Sequence, residues 1–198
     1  MKKYIIFLLV TSSAALVYSC SGNHQSEAMS ADNNAPSLDQ NKAASIARGE
    51  YLVKISGCGD CHSPKKMTPK GPVEDSAYLL AGFRSNDQLP QIDTSVLKKG
   101  WALFYAEGTA MVSPLGISYA ANITADETGI GNWTLEQFKT AMTQGKWKGL
   151  KDNRSLLPPM PWQNFTKMHP EDLEAIYDYL QSTKPVENIV PMAVFSTQ

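Results

Sequence analysis

Two cysteines and a histidine within five residues constrain this chain more than any other feature of its sequence. They form the run Cys58-Gly59-Asp60-Cys61-His62, a C-x-x-C-H pattern. Cysteines three residues apart lie about one helical turn apart, so both sulfurs can bond to one ring system while the next residue offers an imidazole to a metal. This pattern is typical of covalent haem attachment. It predicts thioether bonds from Cys58 and Cys61 to a single haem c, with His62 as an axial ligand of the iron.

Two other kinds of site are weaker interpretations of the same residues. A thioredoxin-like cysteine pair would lie in a β-α-β pattern, whereas the segments on both sides have the pattern of helix and loop. A structural zinc site would need a fourth ligand, and His169 is the remaining strong candidate in the folded region, without a zinc-finger spacing.

Several residues could supply the second axial ligand of the iron. Met160 lies in the proline-rich segment 157–162, where each proline restricts its own backbone and that of the residue before it. Such a stiff loop can hold a thioether against a metal, which favours Met160. Met111 and Met168 remain alternatives, and His169 is disfavoured because it directly precedes a predicted helix.

The N-terminus has the pattern of an export signal. Lys2 and Lys3 precede an apolar run that is too short to span a membrane, and residues 17–20 resemble a lipobox that ends at Cys20. We therefore expect a lipoprotein signal peptide at residues 1–19 and a lipid on Cys20, with an ordinary signal-peptide cleavage as the alternative. A lipid there would anchor the protein on the periplasmic side of a bacterial membrane.

The 198 residues are enough for one domain of ordinary size. Polar residues dominate segment 20–42, which we interpret as a flexible tether, and the domain is expected at residues 43–198. A first helix is predicted from about Ala43 to Ser56. Thr134 and Gln137 form the pattern of a capping box for another helix, and a last helix is predicted to begin at Pro170.

The charges argue against a nucleic-acid partner. The chain has 18 basic and 19 acidic residues, a formal net charge of -1, and no basic stripe to neutralise phosphates. Its cations nevertheless form a first cluster after the C-x-x-C-H run and a second cluster before Met160. The first consists of Lys65, Lys66 and Lys70, and the second of Lys146, Lys148, Lys151 and Arg154. We expect them to surround the exposed haem edge and to dock an acidic patch on a redox partner protein, although two ordinary solvated loops would give the same pattern.

The chain resembles monohaem class I cytochromes c of the exported lipoprotein type, similar to the cytochrome subunits of bacterial alcohol and gluconate dehydrogenases. The resemblance covers about residues 48–191. It rests on Arg48–Val53, the C-x-x-C-H run, Asn122–Thr124, Gly129–Trp133, Pro158–Trp162 and residues 172–180.

This resemblance implies a mainly α, class I cytochrome c fold with helices around one covalent haem and a loop or short hairpin insertion at about residues 71–122. In such proteins the methionine that matches Met160 is the distal ligand. Gly71-Pro72 looks like the pair whose proline carbonyl accepts a hydrogen bond from the proximal histidine. The resemblance therefore implies Pro72 as the partner of His62, with Pro64 as the alternative.

A haem iron with two protein ligands has no open coordination position, which suits outer-sphere electron transfer. We therefore expect an electron carrier that needs no catalytic residues and is not itself an enzyme. Two alternatives are a haem-containing subunit of a membrane dehydrogenase complex and, if Met160 does not bind the iron, a haem-based sensor.

Overall fold

Helices and antiparallel strands both contribute to the fold. The computed structural model describes residues 37–196, so the predicted signal peptide, Cys20 and most of the predicted tether lie outside the described residues. The α-helices of this part are α1 (Leu38–Ile55), α2 (Cys58–His62), α3 (Leu135–Gln144) and α4 (Pro170–Ser182). Short 3₁₀ helices lie at Thr94–Lys99, Trp147–Gly149 and Trp162–Phe165. The strands are β1 (Lys65–Thr68), β2 (Gly71–Glu74), β3 (Leu103–Phe104), β4 (Ala110–Ser113), β5 (Gly116–Tyr119) and β6 (Val194–Phe195).

Helices α1 and α4 cross in close contact. A Cβ atom added at Gly49 of α1 would collide with the backbone carbonyl of Ala175 in α4, so only glycine lets the two backbones approach this closely. Asp178 of α4 accepts hydrogen bonds from Lys42 and from Ser45, at 2.5 and 2.8 Å. Helix α1 therefore begins at Leu38, inside the segment that the sequence had suggested as tether, and Lys42 takes part in the domain.

The ends of α3 and α4 follow local sequence signals. Thr134 and Gln137 form the capping box at the start of α3, as predicted. Helix α3 is capped at its C-terminus by Gly145, whose φ of 63° is left-handed. The Trp162 ring packs against this glycine. Helix α4 begins with Pro170 in its first turn, also as predicted.

The expectation of a mainly α, class I cytochrome c fold is wrong, because the described residues contain two antiparallel sheets in an α+β arrangement. Strands β1 and β2 form a hairpin, and the second sheet has the order β3-β4-β5-β6. The sequence suggested at most one short hairpin in residues 71–122. Strands of two to four residues are too short to give a clear alternation of apolar side chains, and β6 comes from the far end of the chain.

The hydrophobic core lies between α1, α3 and α4. Met142 of α3 is buried there. The buried members of this cluster are Leu52, Val53, Leu80, Ile130, Phe138, Met142, Phe165, Leu173, Ala175, Ile176 and Leu180. Within residues 37–196, no helix has the length and apolar character needed to cross a membrane.

An ionic network ties the loops that follow β2. Arg84 donates to the carboxylates of Asp75, at 2.9 Å, and of Glu107, and it also pairs with Asp87 at 3.4 Å. Lys66 binds the other oxygen of Asp75 at 2.8 Å. Hydrogen bonds to Asp75, the largest from Lys66, lower its pKa to about 2, although burial of the carboxylate acts in the opposite direction.

Candidate functional site

The two cysteines lie on the single turn of helix α2. Gly57 precedes this turn with a left-handed φ of 67°, and Cys58 packs against the hydrophobic core. Both thiols are free. Burial raises the pKa of Cys58 to about 11 and also raises the pKa of Cys61. The sulfurs are thus held as neutral thiols at the edge of an apolar region.

His62 ends α2 and has one fixed ring nitrogen. Its Nδ1 lies 2.7 Å from the carbonyl oxygen of Ala121, and because a carbonyl only accepts, Nδ1 carries the proton. Burial lowers the pKa of His62, which the Ala121 carbonyl partly offsets. The imidazole is therefore neutral, and its Nε2 lone pair is available to a metal.

The resemblance had implied a proline as the partner of His62. In the structure, Nδ1 of His62 contacts the Ala121 carbonyl instead. Pro72 lies in β2 opposite Met67. Pro64 is fully buried, and its carbonyl accepts from the backbone N–H of Asp75 at 2.8 Å. Ala121 takes the place of both candidates. Its only sequence signal is its position directly before the motif Asn122–Thr124.

A glycine loop holds the backbone of His62 in place. The N–H of Gly82 donates to the carbonyl of His62 at 2.7 Å, and the next N–H, from Phe83, donates to the carbonyl of Ala120 at 3.0 Å. Gly82 has a left-handed φ of 76°, and a Cβ there would collide with the Ala120 carbonyl. The end of α2 and the residue before Ala121 are thereby joined through two consecutive peptide groups.

Met160 is half-buried and packs against the same core cluster as Cys58. The loop that carries it is held at two points. The hydroxyl of Ser118 in β5 donates to the carbonyl of Pro158 at 2.7 Å, and the N–H of Leu156 donates to the carbonyl of Gly145 at the end of α3 at 2.6 Å. The prolines of this loop are therefore supported by both a sheet and a helix.

The other possible axial ligands lie in different surroundings. Met111 is buried in β4. Met168 is half-buried and packs against the same core cluster as Met160. The side chain of His169 is 78% exposed at the start of α4, with Glu171 at 4.0 Å. His169 thus lies on the surface, away from the core that Cys58 and Met160 share.

The donor groups fit a haem better than a single metal ion. In the described part of the chain, no three His, Cys, Asp or Glu side chains converge as the ligands of one ion. Two free thiols on one helical turn, an imidazole with its Nε2 open, and a thioether on the same core are the groups that a covalently attached haem requires. These residues therefore fit haem c.

Comparison with known proteins supports the same assignment. No protein family model matches the chain. The chain is 41% identical over 157 residues to a nicotinate dehydrogenase subunit from Pseudomonas putida, an alignment that covers 79% of the chain and 10% of that protein. It is 31% identical over 145 residues to the cytochrome c subunit of alcohol dehydrogenase (quinone) from Gluconobacter oxydans, which covers 72% of the chain and 22% of the relative.

A third relative is the cytochrome c subunit of gluconate 2-dehydrogenase from Pantoea cypripedii, 29% identical over 142 residues that cover 71% of the chain and 24% of the relative. The chain is thus similar to cytochrome c subunits of bacterial dehydrogenases, as the motifs indicated. It spans about a tenth to a quarter of the length of these relatives.

Proposed function

We propose that this protein is an electron carrier with one haem c, bound through Cys58 and Cys61 and ligated by His62 and Met160. The observation that carries the proposal is the state of His62. It directly follows the cysteine pair, and its Nδ1 is bound to the Ala121 carbonyl, which leaves Nε2 free for a metal. The haem would supply a one-electron iron couple.

The protein's own residues would orient and shield this group. The Ala121 carbonyl fixes the tautomer and the plane of the His62 ring, and hydrogen bonding of Nδ1 increases the basicity of the ligand. The core cluster beside Cys58 and Met160 excludes water. Because the Met160 loop is held at Pro158 and Leu156, the loop would keep the thioether in one place beside a bound haem.

A dehydrogenase is the partner that we propose for electron exchange. Three of the relatives are cytochrome subunits of alcohol, fructose and gluconate dehydrogenases, and the proposed carrier would take electrons from an enzyme of that kind. It would do so without catalytic residues of its own.

The docking surface would be the cationic stretch before Met160. Two lysines of the first cluster already have partners within the protein, because Lys66 binds Asp75 and Lys65 binds backbone carbonyls of residues 59–63. In the second cluster, Lys148 and Arg154 lie over the Trp147 ring, at 5.0 and 4.9 Å. This surface combines positive charge with an aromatic ring next to the Met160 loop, which would suit an acidic patch on the partner.

The lipid anchor on Cys20 and the periplasmic location form part of the same proposal. They rest on the signal pattern of residues 1–20, which lie outside the described part of the chain. A tethered carrier would stay close to a dehydrogenase held at the same membrane.

The test is the absorption spectrum of the protein expressed with a c-type haem maturation system. We expect haem that resists acid-acetone extraction, together with the weak far-red band that sulfur ligation gives ferric haem. Met160→Ala should abolish that band, whereas Met168→Ala, a matched removal of a half-buried methionine on the same core, should keep it.

Each other outcome would contradict part of the proposal. Absence of attached haem would reject it entirely. Loss of the band in Met168→Ala but not in Met160→Ala would move the axial ligand to Met168. Covalent haem without the band, together with rapid binding of carbon monoxide to the ferrous form, would favour a sensor.

A further inference from the structure

The side chain of Lys65 turns back onto helix α2. Its Nζ donates to the carbonyl oxygens of Gly59 at 2.8 Å, Asp60 at 2.5 Å and Ser63 at 2.6 Å. An ammonium group has three N–H bonds, so all of them are used. Lys65 therefore binds the last carbonyls of the segment that carries the cysteines and His62.

The side chain of Lys65 adds to two backbone hydrogen bonds at this end of α2, from Gly82 to the His62 carbonyl and from Ser63 to the Gly59 carbonyl. Helix α2 is five residues long, it has no side-chain cap at Gly57, and none of its residues is fully buried. An isolated helix of one turn is not stable in water, and its last carbonyls have no partners within the helix. A cation at a helix C-terminus satisfies these carbonyls and interacts favourably with the helix dipole.

The Lys65 ammonium lies in a confined place. A Cβ atom added at Gly108, in the turn before β4, would lie 2.5 Å from the carbonyl oxygen of Asp60 and 3.7 Å from Nζ of Lys65. The turn therefore packs directly on the end of α2.

We propose that Lys65 is a positioning residue for the haem-attachment helix and that its charge favours the ferrous over the ferric state. The inference rests on the proposed function, since it requires a haem at Cys58, Cys61 and His62. Ferric haem carries one more positive charge than ferrous haem, so a fixed cation nearby destabilises the ferric form by Coulomb repulsion. The same hydrogen bonds keep α2 closed.

The experiment compares Lys65→Gln and Lys65→Arg with Lys66→Gln in the haem-loaded protein. Lys66 is the matched control because it carries the same charge one residue away and binds Asp75 instead of α2. Spectroelectrochemical titration measures the ferric-to-ferrous ratio. For Lys65→Gln we expect this ratio at fixed potential to rise about three- to tenfold, where tenfold corresponds to about 59 mV for one electron.

Lys65→Arg keeps the charge and should keep the potential, while Lys66→Gln should change the ratio less than half as much as Lys65→Gln. A second readout is amide exchange at Ser63, whose N–H donates to the Gly59 carbonyl at 3.1 Å. Its exchange should be faster in Lys65→Gln than in Lys66→Gln, because only the former releases the end of α2.

The outcomes separate this inference from the proposed function. A wild-type protein without haem would overturn both. Haem-loaded wild type and Lys65→Gln with the same potential would overturn only the role of Lys65. An equal fall in potential for Lys65→Arg and Lys65→Gln would also overturn it, because loss of packing and not of charge would then be responsible. If Lys65→Gln fails to load haem, Lys65→Arg provides the test. This variant must load haem and keep the wild-type potential, and failure to do either would overturn the role of Lys65.

Discussion

Replacing Ser118 with alanine tests how the sheet holds the proposed axial methionine. The Ser118 hydroxyl donates to the Pro158 carbonyl at 2.7 Å, two residues before Met160. This hydrogen bond joins β5 to the methionine loop, which is 40 residues further along the chain. Alanine removes the hydroxyl and leaves the backbone of the sheet unchanged.

The expected effect is small but measurable. A neutral hydrogen bond contributes about 0.5–1.5 kcal/mol, and because Pro158 is exposed, water can replace the lost donor. We therefore expect Ser118→Ala to destabilise the held conformation of the Met160 loop by about 0.5–1 kcal/mol. At about 1.4 kcal/mol per tenfold, this is a roughly two- to fivefold change in the equilibrium between bound and detached Met160.

An external ligand that competes with the methionine reports this equilibrium directly. Titration of the ferric protein with cyanide, followed by loss of the far-red band, should give a roughly two- to fivefold higher affinity in Ser118→Ala than in wild type. Ser182→Ala is the matched control. Its hydroxyl also donates to a backbone carbonyl at 2.7 Å, that of Tyr179 in α4, without contact to the loop. Equal cyanide affinity in the two variants would refute the idea that the sheet supports Met160.

Two further substitutions test the frame around the site. Gly49→Ala should lower the free energy of unfolding by about 3 kcal/mol, because the new Cβ would collide with the Ala175 carbonyl. Chemical denaturation measures this change. A gain in stability, which helix propensity alone would give, would contradict the prediction. Asp75→Asn should destabilise the protein at neutral pH, and the difference from wild type should shrink as the pH falls from about 4 to about 2. The pKa of Asp75 is lowered to about 2 in the folded state, mainly by Lys66. The ionised carboxylate therefore stabilises the fold above its unfolded pKa of about 4, and this stabilisation is lost when the carboxylate is protonated. A stability difference that stays constant over this pH range would contradict the role of the Asp75 charge.

Local sequence signals predicted the helices of the fold well. The capping box of Thr134 and Gln137 and the proline at the start of α4 are signals that act within one turn, so they need no knowledge of the rest of the chain.

The sheets could not be predicted in the same way. Strand β6 pairs Val194 with Ile117 and Phe195 with Gly116, which lie far apart in sequence. Pairing of this kind depends on tertiary register and not on local pattern. The mainly α expectation failed for this reason, since it treated residues 71–122 as an insertion between helices.

The partner of His62 escaped prediction for a related reason. A backbone carbonyl is present at every residue, so no residue type indicates which carbonyl will accept from an imidazole. The motif Asn122–Thr124 was visible, but only the fold brings the residue before it to within 2.7 Å of a ring 59 positions earlier.

Both proposed axial ligands depend on one short segment. Within four residues, the Ser118 hydroxyl holds the loop of Met160 and the Ala121 carbonyl holds the ring of His62. Because the contact at Ala121 comes from the backbone, side-chain replacements that keep the chain path should leave it intact, whereas a displacement of the segment would loosen both ligands together. The loop at Gly82 holds this segment in place, because the missing Cβ of Gly82 lets the Ala120 carbonyl approach. The sheet therefore sets the spacing between the two regions that carry the proposed ligands, and residues 71–122 contribute to the candidate site.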